Sequence, residues 1–599
     1  MTMMRGDFRR LAGMIGLALM GAGAGLATGA TPADAAWMKA TSAHFVVYAD
    51  TREATLRKQA SDLEYFDAMV RRFHQTDEQE KAESAKVTVF VMPSISAVQK
   101  MSQMDNVAGF YVPRVTGSIA FTPRSGGTDT FDLTPRIVLF HEYAHHFLFG
   151  NYAMAYPAWF GEGYAEFVST MMERDGALWL GGAANHRAYS LVRANGLSIR
   201  QLFEPPAKLS DEQRESIYAR GWLLTHYIMF DADRRKQFDT YLRLFNAGKP
   251  SLEAATESFG DLKVLDRKLG AYLSKSTLPA IRVPKTTFAV PKVDVVPLTP
   301  GESAMIGFRM QSTRGVNAKT AGPLYKKAKL VAQPFATDAV AQGWLAEMAF
   351  DAGELDASEA AADAALAVDP KAGQALLYKA RVHMARAVLA KATDAKTWTE
   401  ARSWIVKANR AEPNNAAALS LFYESFLIQH VPPTKNAALG LYRASNLVPQ
   451  DTGTRFLAAR QLILDGATDD ARKLLRPLAS DPHGGRDNGA VRLLALLDGG
   501  MSGPAAIEAL ERPPAPATAA GKDPGAGGRR EVSGPGSATG PRTGVLQWRG
   551  LHLGGPDATR PPSREGAACG FSPPRATRSF NAFLLGIGSR GDIRRWYSG

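Results

Sequence analysis

Apolar and polar positions alternate over His44-Phe45-Val46-Val47-Tyr48, the period of a half-buried strand. Leu56, Leu63, Phe66, Met69, Val70 and Phe73 then recur at spacings of three and four, which predicts an amphipathic helix, and Val87 to Met92 reads as a second strand. Val107 to Val112 and Ser118 to Thr122 add two short β segments joined through Pro113 and Gly117. Thr134-Pro135 offers an N-cap followed by a first-turn proline, and Gly150 a stop, so a helix is expected between them. Further helices are predicted from about Trp159, around Tyr218 to Phe230, and onward to about Ser274. The front of the chain is therefore expected to be α+β, a small sheet ahead of a helical half.

Pro279, Pro284, Pro291, Pro297 and Pro300 mark residues 276–330 as a connector too rich in proline for regular core helix. From about 331 the composition turns to Ala, Leu and Glu, with a recurring end signal at Asp369-Pro370, Glu412-Pro413, Val448-Pro449 and Asp481-Pro482, spaced 43, 36 and 33 residues apart. Periods near 34 with paired helices and a closing proline predict a tetratricopeptide-type array over 331–512, its first unit running from Trp344 to Phe350, through a turn at Gly353, to Ala357–Ala367. The longest interval predicts an insertion around 388–399. Residues 513–599 are Gly-, Pro- and Arg-rich without apolar period, and disorder is expected there.

At the other end, Arg5, Arg9 and Arg10 precede an uncharged apolar run, and Ala33-Asp34-Ala35 offers a cleavage site. Residues 1–35 are read as a signal peptide, which places the mature chain in the periplasm or envelope of a bacterium, with no membrane span after cleavage. The formal charge of +13 divides unevenly, since the tail carries twelve Lys or Arg against five Asp or Glu. The body keeps an ordinary surface value, and a nucleic-acid partner is not expected. The single cysteine, Cys569, lies in the tail, so any metal in the body must be held by His and carboxylates.

Such a set stands in the helix after Thr134. His141 and His145, four residues apart, project from one face and can reach a single Zn²⁺. Glu142 lies about 100° further round, where its carboxylate can take the proton of an attacking water. An acidic third ligand is available at Glu162, seventeen positions beyond His145 and across a loop from Gly150 to Pro157.

His141-Glu142-Tyr143-Ala144-His145 followed by Trp159-Phe160-Gly161-Glu162-Gly163-Tyr164-Ala165 resembles the signature of gluzincin metallopeptidases, including the aminopeptidase N-type and "peptidase MA-like" families. The resemblance spans about residues 40–275 and implies a zincin-like domain over 36–275. It makes His141, His145 and Glu162 the zinc ligands, Glu142 the general base, and Glu166 a carboxylate that bonds a ligating histidine. Tyr218-Ala219-Arg220-Gly221 resembles the segment whose tyrosine stabilises the oxyanion, with Arg220 as a weaker alternative. The interval from His145 to Glu162 is two residues shorter than in the aminopeptidase N pattern, and no Gly-Ala-Met-Glu-Asn segment is present; the peptidase MA-like group fits better. His146 and His226 are expected to be structural. The implied activity is zinc-dependent hydrolysis of peptide bonds, of endopeptidase type if Ser118–Thr122 is a sheet edge that pairs with an extended substrate. The repeats would bind a partner or substrate protein. The rival expectation is a catalytically silent scaffold that only binds proteins.

Overall fold

The computed structural model describes residues 37–76, 85–104, 107–127, 129–152, 154–192, 196–481 and 488–512, so the expected signal segment and tail lie outside the described residues. The chain is α+β. Its described strands are β1 (Trp37–Thr41), β2 (Phe45–Asp50), β3 (Val87–Met92), β4 (Phe110–Val112), β5 (Ile119–Pro123), β6 (Met172–Arg174), β7 (Ala177–Leu180), β8 (Ile281–Pro284) and β9 (Asp294–Pro297). The main sheet has the order β4-β5-β3-β2-β1-β9. β2 with β3, and β3 with β5, are parallel; the outer pairs are antiparallel.

The parallel pairs follow from their connections, because a parallel neighbour requires a crossover and the helices α1 (Glu53–His74) and α2 (Ile95–Ser102) supply one each. Leu56, Leu63, Phe66, Met69 and Val70 of α1 are buried in one core with Val87, Val89 and Val91 of β3. Alternate residues of that strand, Phe90 and Met92, join a second core on the opposite face. A strand apolar on both faces needs cover on both.

The second cover comes from the segment expected to be a connector. β9 pairs with β1, and β8 extends the β6–β7 hairpin. The helices α11 (Pro300–Arg314) and α12 (Ala321–Ala332) bury Met305, Ile306, Met310 and Leu324 against Phe90 and Phe121. Residues 276–330 are thus a structural part of the sheet's packing. The prolines allow this by position: Pro284 and Pro297 end strands that lie at sheet edges, and Pro300 occupies the first turn of α11, where Thr299 and Glu302 form a capping box. Trp344 and Met348 belong to the same core, so packing continues across the boundary drawn at 331.

The site-bearing helices are α3 (Pro135–Asn151) and α4 (Ala158–Ser169), followed by α5 (Ala188–Val192), α6 (Ile199–Phe203), α7 (Asp211–Met229), α8 (Ala232–Asn246), α9 (Ser251–Phe259) and α10 (Leu262–Leu273). Beyond α12 come α13 (Ala339–Asp351), α14 (Leu355–Val368), α15 (Gly373–Leu389), α16 (Ala395–Ala411), α17 (Ala416–Ile428), α18 (Lys435–Leu447), α19 (Thr452–Leu464), α20 (Thr468–Ala479), α21 (Gly489–Asp498) and α22 (Gly503–Glu511). Each packs on the next, and α15 also packs on both α13 and α17, a stack of helix pairs. The long interval in the period is not an inserted loop: α15 and α16 are each 17 residues, whereas α13, α17 and α18 are 13. Among the described residues, no helix is long and apolar enough to cross a membrane.

Candidate metal centre

Helix α3 begins as its sequence dictates, with Thr134 Oγ1 accepting from the Ile137 amide at 3.3 Å and Pro135 in the first turn. Its far side is anchored by Phe140, stacked on Phe66 at 4.0 Å, and by Tyr143, which donates to buried Asp67 at 2.5 Å. The opposite face carries His141 and His145. Helix α4 brings Glu162 to them, held by Trp159, which is buried and donates to Tyr241 at 3.2 Å.

The close approach of α4 and α7 depends on two glycines. A Cβ on Gly163 would fall 2.3 Å from the backbone carbonyl of Gly221, and one on Gly221 would fall 2.5 Å from the Trp159 carbonyl oxygen. These are the glycines of the Glu-Gly and Arg-Gly pairs singled out in the sequence, and their lack of side chains brings Tyr218 to the site. The Tyr218 ring centre lies 5.9 Å from that of His141.

His141 Nε2, His145 Nε2 and Glu162 Oε2 form a nearly equilateral triangle with sides of 3.2, 3.3 and 3.4 Å. Ligands at the usual zinc distances in a tetrahedron stand about 3.3–3.4 Å from one another. The triangle therefore has the size of one face of a zinc tetrahedron, and the donor set of two imidazoles and one carboxylate suits that metal. All three residues are buried, as is Glu142.

No protein-family model and no curated protein matches this chain.

Around the triangle the polar groups are tightly interlocked. Glu166 is fully buried, with Oε1 3.2 Å from His141 Nδ1. It accepts from His186 at 2.6 Å and from Arg187 at 2.7 Å, and Arg187 reaches on to Glu215 at 2.9 Å. Burial works against the ionised Glu166, yet Arg187, His186 and His141 hold it well below the usual carboxylate range. Burial likewise opposes a charged His141, but Glu162 and Glu166 overcome it and push the imidazole up to about 10. A carboxylate kept ionised at Nδ1 fixes which nitrogen faces the triangle.

Arg187 was not legible as a site residue. It lies with its guanidinium 4.8 Å from the Tyr218 ring centre, so one side chain braces both Glu166 and Tyr218. Nothing in the spacing of His186-Arg187 points to this role, because both sit in a single 3₁₀ turn, Asn185–Arg187, after the β6–β7 hairpin and reach Glu166 only through the fold. Arg220, the weaker candidate donor, is engaged with Asp266 of α10. His146 contacts the Tyr111 hydroxyl at 2.8 Å, and His226 bonds Tyr272 and the Gly181 carbonyl at 3.0 and 2.9 Å, which gives both structural partners.

The expected edge at Ser118–Thr122 is corrected: β5 lies inside the sheet, paired on both sides, and β4 is the edge. Two short β segments cannot reveal which of them is outermost until their pairing is known. Tyr111 of β4 lines a cavity of about 70 Å³ beside His145, together with Tyr156 and Gly161. Its other wall belongs to the helical stack, where Gln450, Arg455 and Pro477 close it. Arg455 is buried there and donates to the Phe149 carbonyl at 3.0 Å.

Proposed function

We propose that this chain is an exported zinc metallopeptidase that hydrolyses peptide bonds at the His141–His145–Glu162 triangle. The observation that carries this reading is the coincidence of the triangle's sides with a zinc tetrahedron, in a helix that also places Glu142 one residue after the first ligand. Bound there, zinc would polarise the scissile carbonyl and acidify water. The chain's own residues supply the rest. Glu142, in a buried setting where charge is little screened, takes the proton of the attacking water and returns it to the leaving amine. Tyr218, braced by Arg187, donates its hydroxyl to the developing oxyanion. Glu166 keeps His141 oriented throughout.

Elemental analysis of the purified protein beside His145→Ala and Glu162→Ala variants tests the reading. About one zinc per chain, lost in both variants, is the expected result. Absence of zinc after reconstitution would overturn it and leave the helical stack as a protein-binding module.

A further inference from the structure

A cavity of about 300 Å³ lies on the inner side of the helical stack, and its lining contains none of the proposed metal ligands. Its walls come from α13, α15, α17 and α19, the first helices of successive pairs, and from α11. Into it projects the tip of the β4–β5 hairpin, residues 113–116. Val115 packs against the apolar clusters that contain Leu377 and Leu447. Arg114 enters the polar part of the cavity, where burial works against its charge and the carboxylates of Glu347 and Asp351 counter that effect.

The helical walls are electrostatically complementary to this guest. Among the described residues they bring five carboxylates to the cavity, Glu347, Asp351, Glu412, Glu424 and Asp451, against the two guanidiniums of Arg309 and Arg381. Burial raises both Glu424 and Asp451 from their ordinary values, and nearby guanidiniums work against that rise, Arg381 on Glu424 and Arg114 with Arg455 on Asp451. Arg114 does not fill the space, because the cavity remains beside it. The same hairpin carries Tyr111 to the cavity next to His145, so the two cavities share one structural element.

We infer that this inner cavity is a peptide site that reads an arginine flanked by small apolar residues, and that residues 113–116 occupy it in cis as a built-in ligand that an arginine-bearing segment of a partner protein displaces. The site is independent of zinc and of turnover.

The test is fluorescence anisotropy of a labelled peptide with the sequence of residues 110–118, titrated with the full chain in wild-type and Arg114→Ser forms. Without the competing side chain, the Arg114→Ser protein is expected to bind the peptide at least tenfold more tightly than wild type. Adding Asp351→Asn to that variant is expected to weaken binding at least tenfold, and a peptide carrying R114E is expected to lose it. Where circular dichroism shows that Arg114→Ser has not folded, Arg114→Gln, which keeps a long polar side chain, reads the same competition. Equal binding of the two peptides, or binding to neither protein, would overturn the inference.

Discussion

Glu142 and Glu166 are both buried carboxylates, the first next to His141 in α3 and the second reaching His141 Nδ1 from α4, yet their surroundings suit them to opposite tasks. Glu166 is fixed by His186 and Arg187 and stays ionised, which suits a group that orients His141 and transfers no proton. Glu166→Ala is therefore expected to weaken zinc affinity about 10–100-fold, as measured by competition with a chromogenic chelator, while leaving Glu142 in place. Glu142→Ala should do the reverse. Peptide cleavage is expected to fall by about 10²–10⁴-fold or more with zinc content unchanged, and an active Glu142→Ala protein would exclude this residue as the base. At this scale the shared face of His141 and His145 was legible, because four-residue spacing on a helix fixes it whatever surrounds it. His186 and Arg187 were not, since one 3₁₀ turn is too short to show a period.

Among the elements, the crossing of α4 and α7 decides whether Glu162 and Tyr218 meet His141. Both helices show their glycines in sequence, but only their contact explains them: each Cα faces backbone atoms where a methyl group has no room. Gly163→Ala is expected to push the helices apart, lower stability by about 1–3 kcal/mol in urea denaturation, and reduce zinc content in the same protein. Wild-type stability with full zinc in that variant would show that the crossing has slack. The hairpin β6–β7 is a comparable case. Asp175 and Gly176 take φ of 52° and 67°, the turn that an Asp-Gly pair favours, so the sequence carries its own signal for this hairpin.

For the whole molecule, buried histidines set a lower pH limit on the fold. His226 is buried between Tyr272 and the Gly181 carbonyl, and burial pushes it down to about 4; His74, beside Tyr164, is also pushed down to about 4 by burial. An unfolded histidine titrates near 6.5, so between these values the unfolded chain binds more protons. The contributions of His226 and His74 are fully present above about pH 6.5 and are lost as pH falls toward 4. For His226 the loss approaches about 3 kcal/mol. Denaturation midpoints at pH 7.5 and 5.0, measured with excess chelator to remove any metal contribution, should differ in wild type and differ less in His226→Gln. Equal pH dependence in both proteins would remove His226 from this account. The two halves stand on the same footing, because the sheet's second face, the wall of the His145 cavity and the seat of Arg114 are all supplied by the helical half.

The amino-acid sequence by itself determined what depends on local periodicity: the strand, helix, strand opening, the capped helix that bears His141, Glu142 and His145, and the paired helices behind recurring prolines. These follow from steric rules and apolar spacing within one element. Only the tertiary structure decided which strand is the sheet edge, what covers the outer face of β3, how residues 276–330 pack, and how His186 and Arg187 reach Glu166. Each of those is a contact between segments far apart in the chain, and a residue's own neighbours carry no record of a partner that folding brings to it.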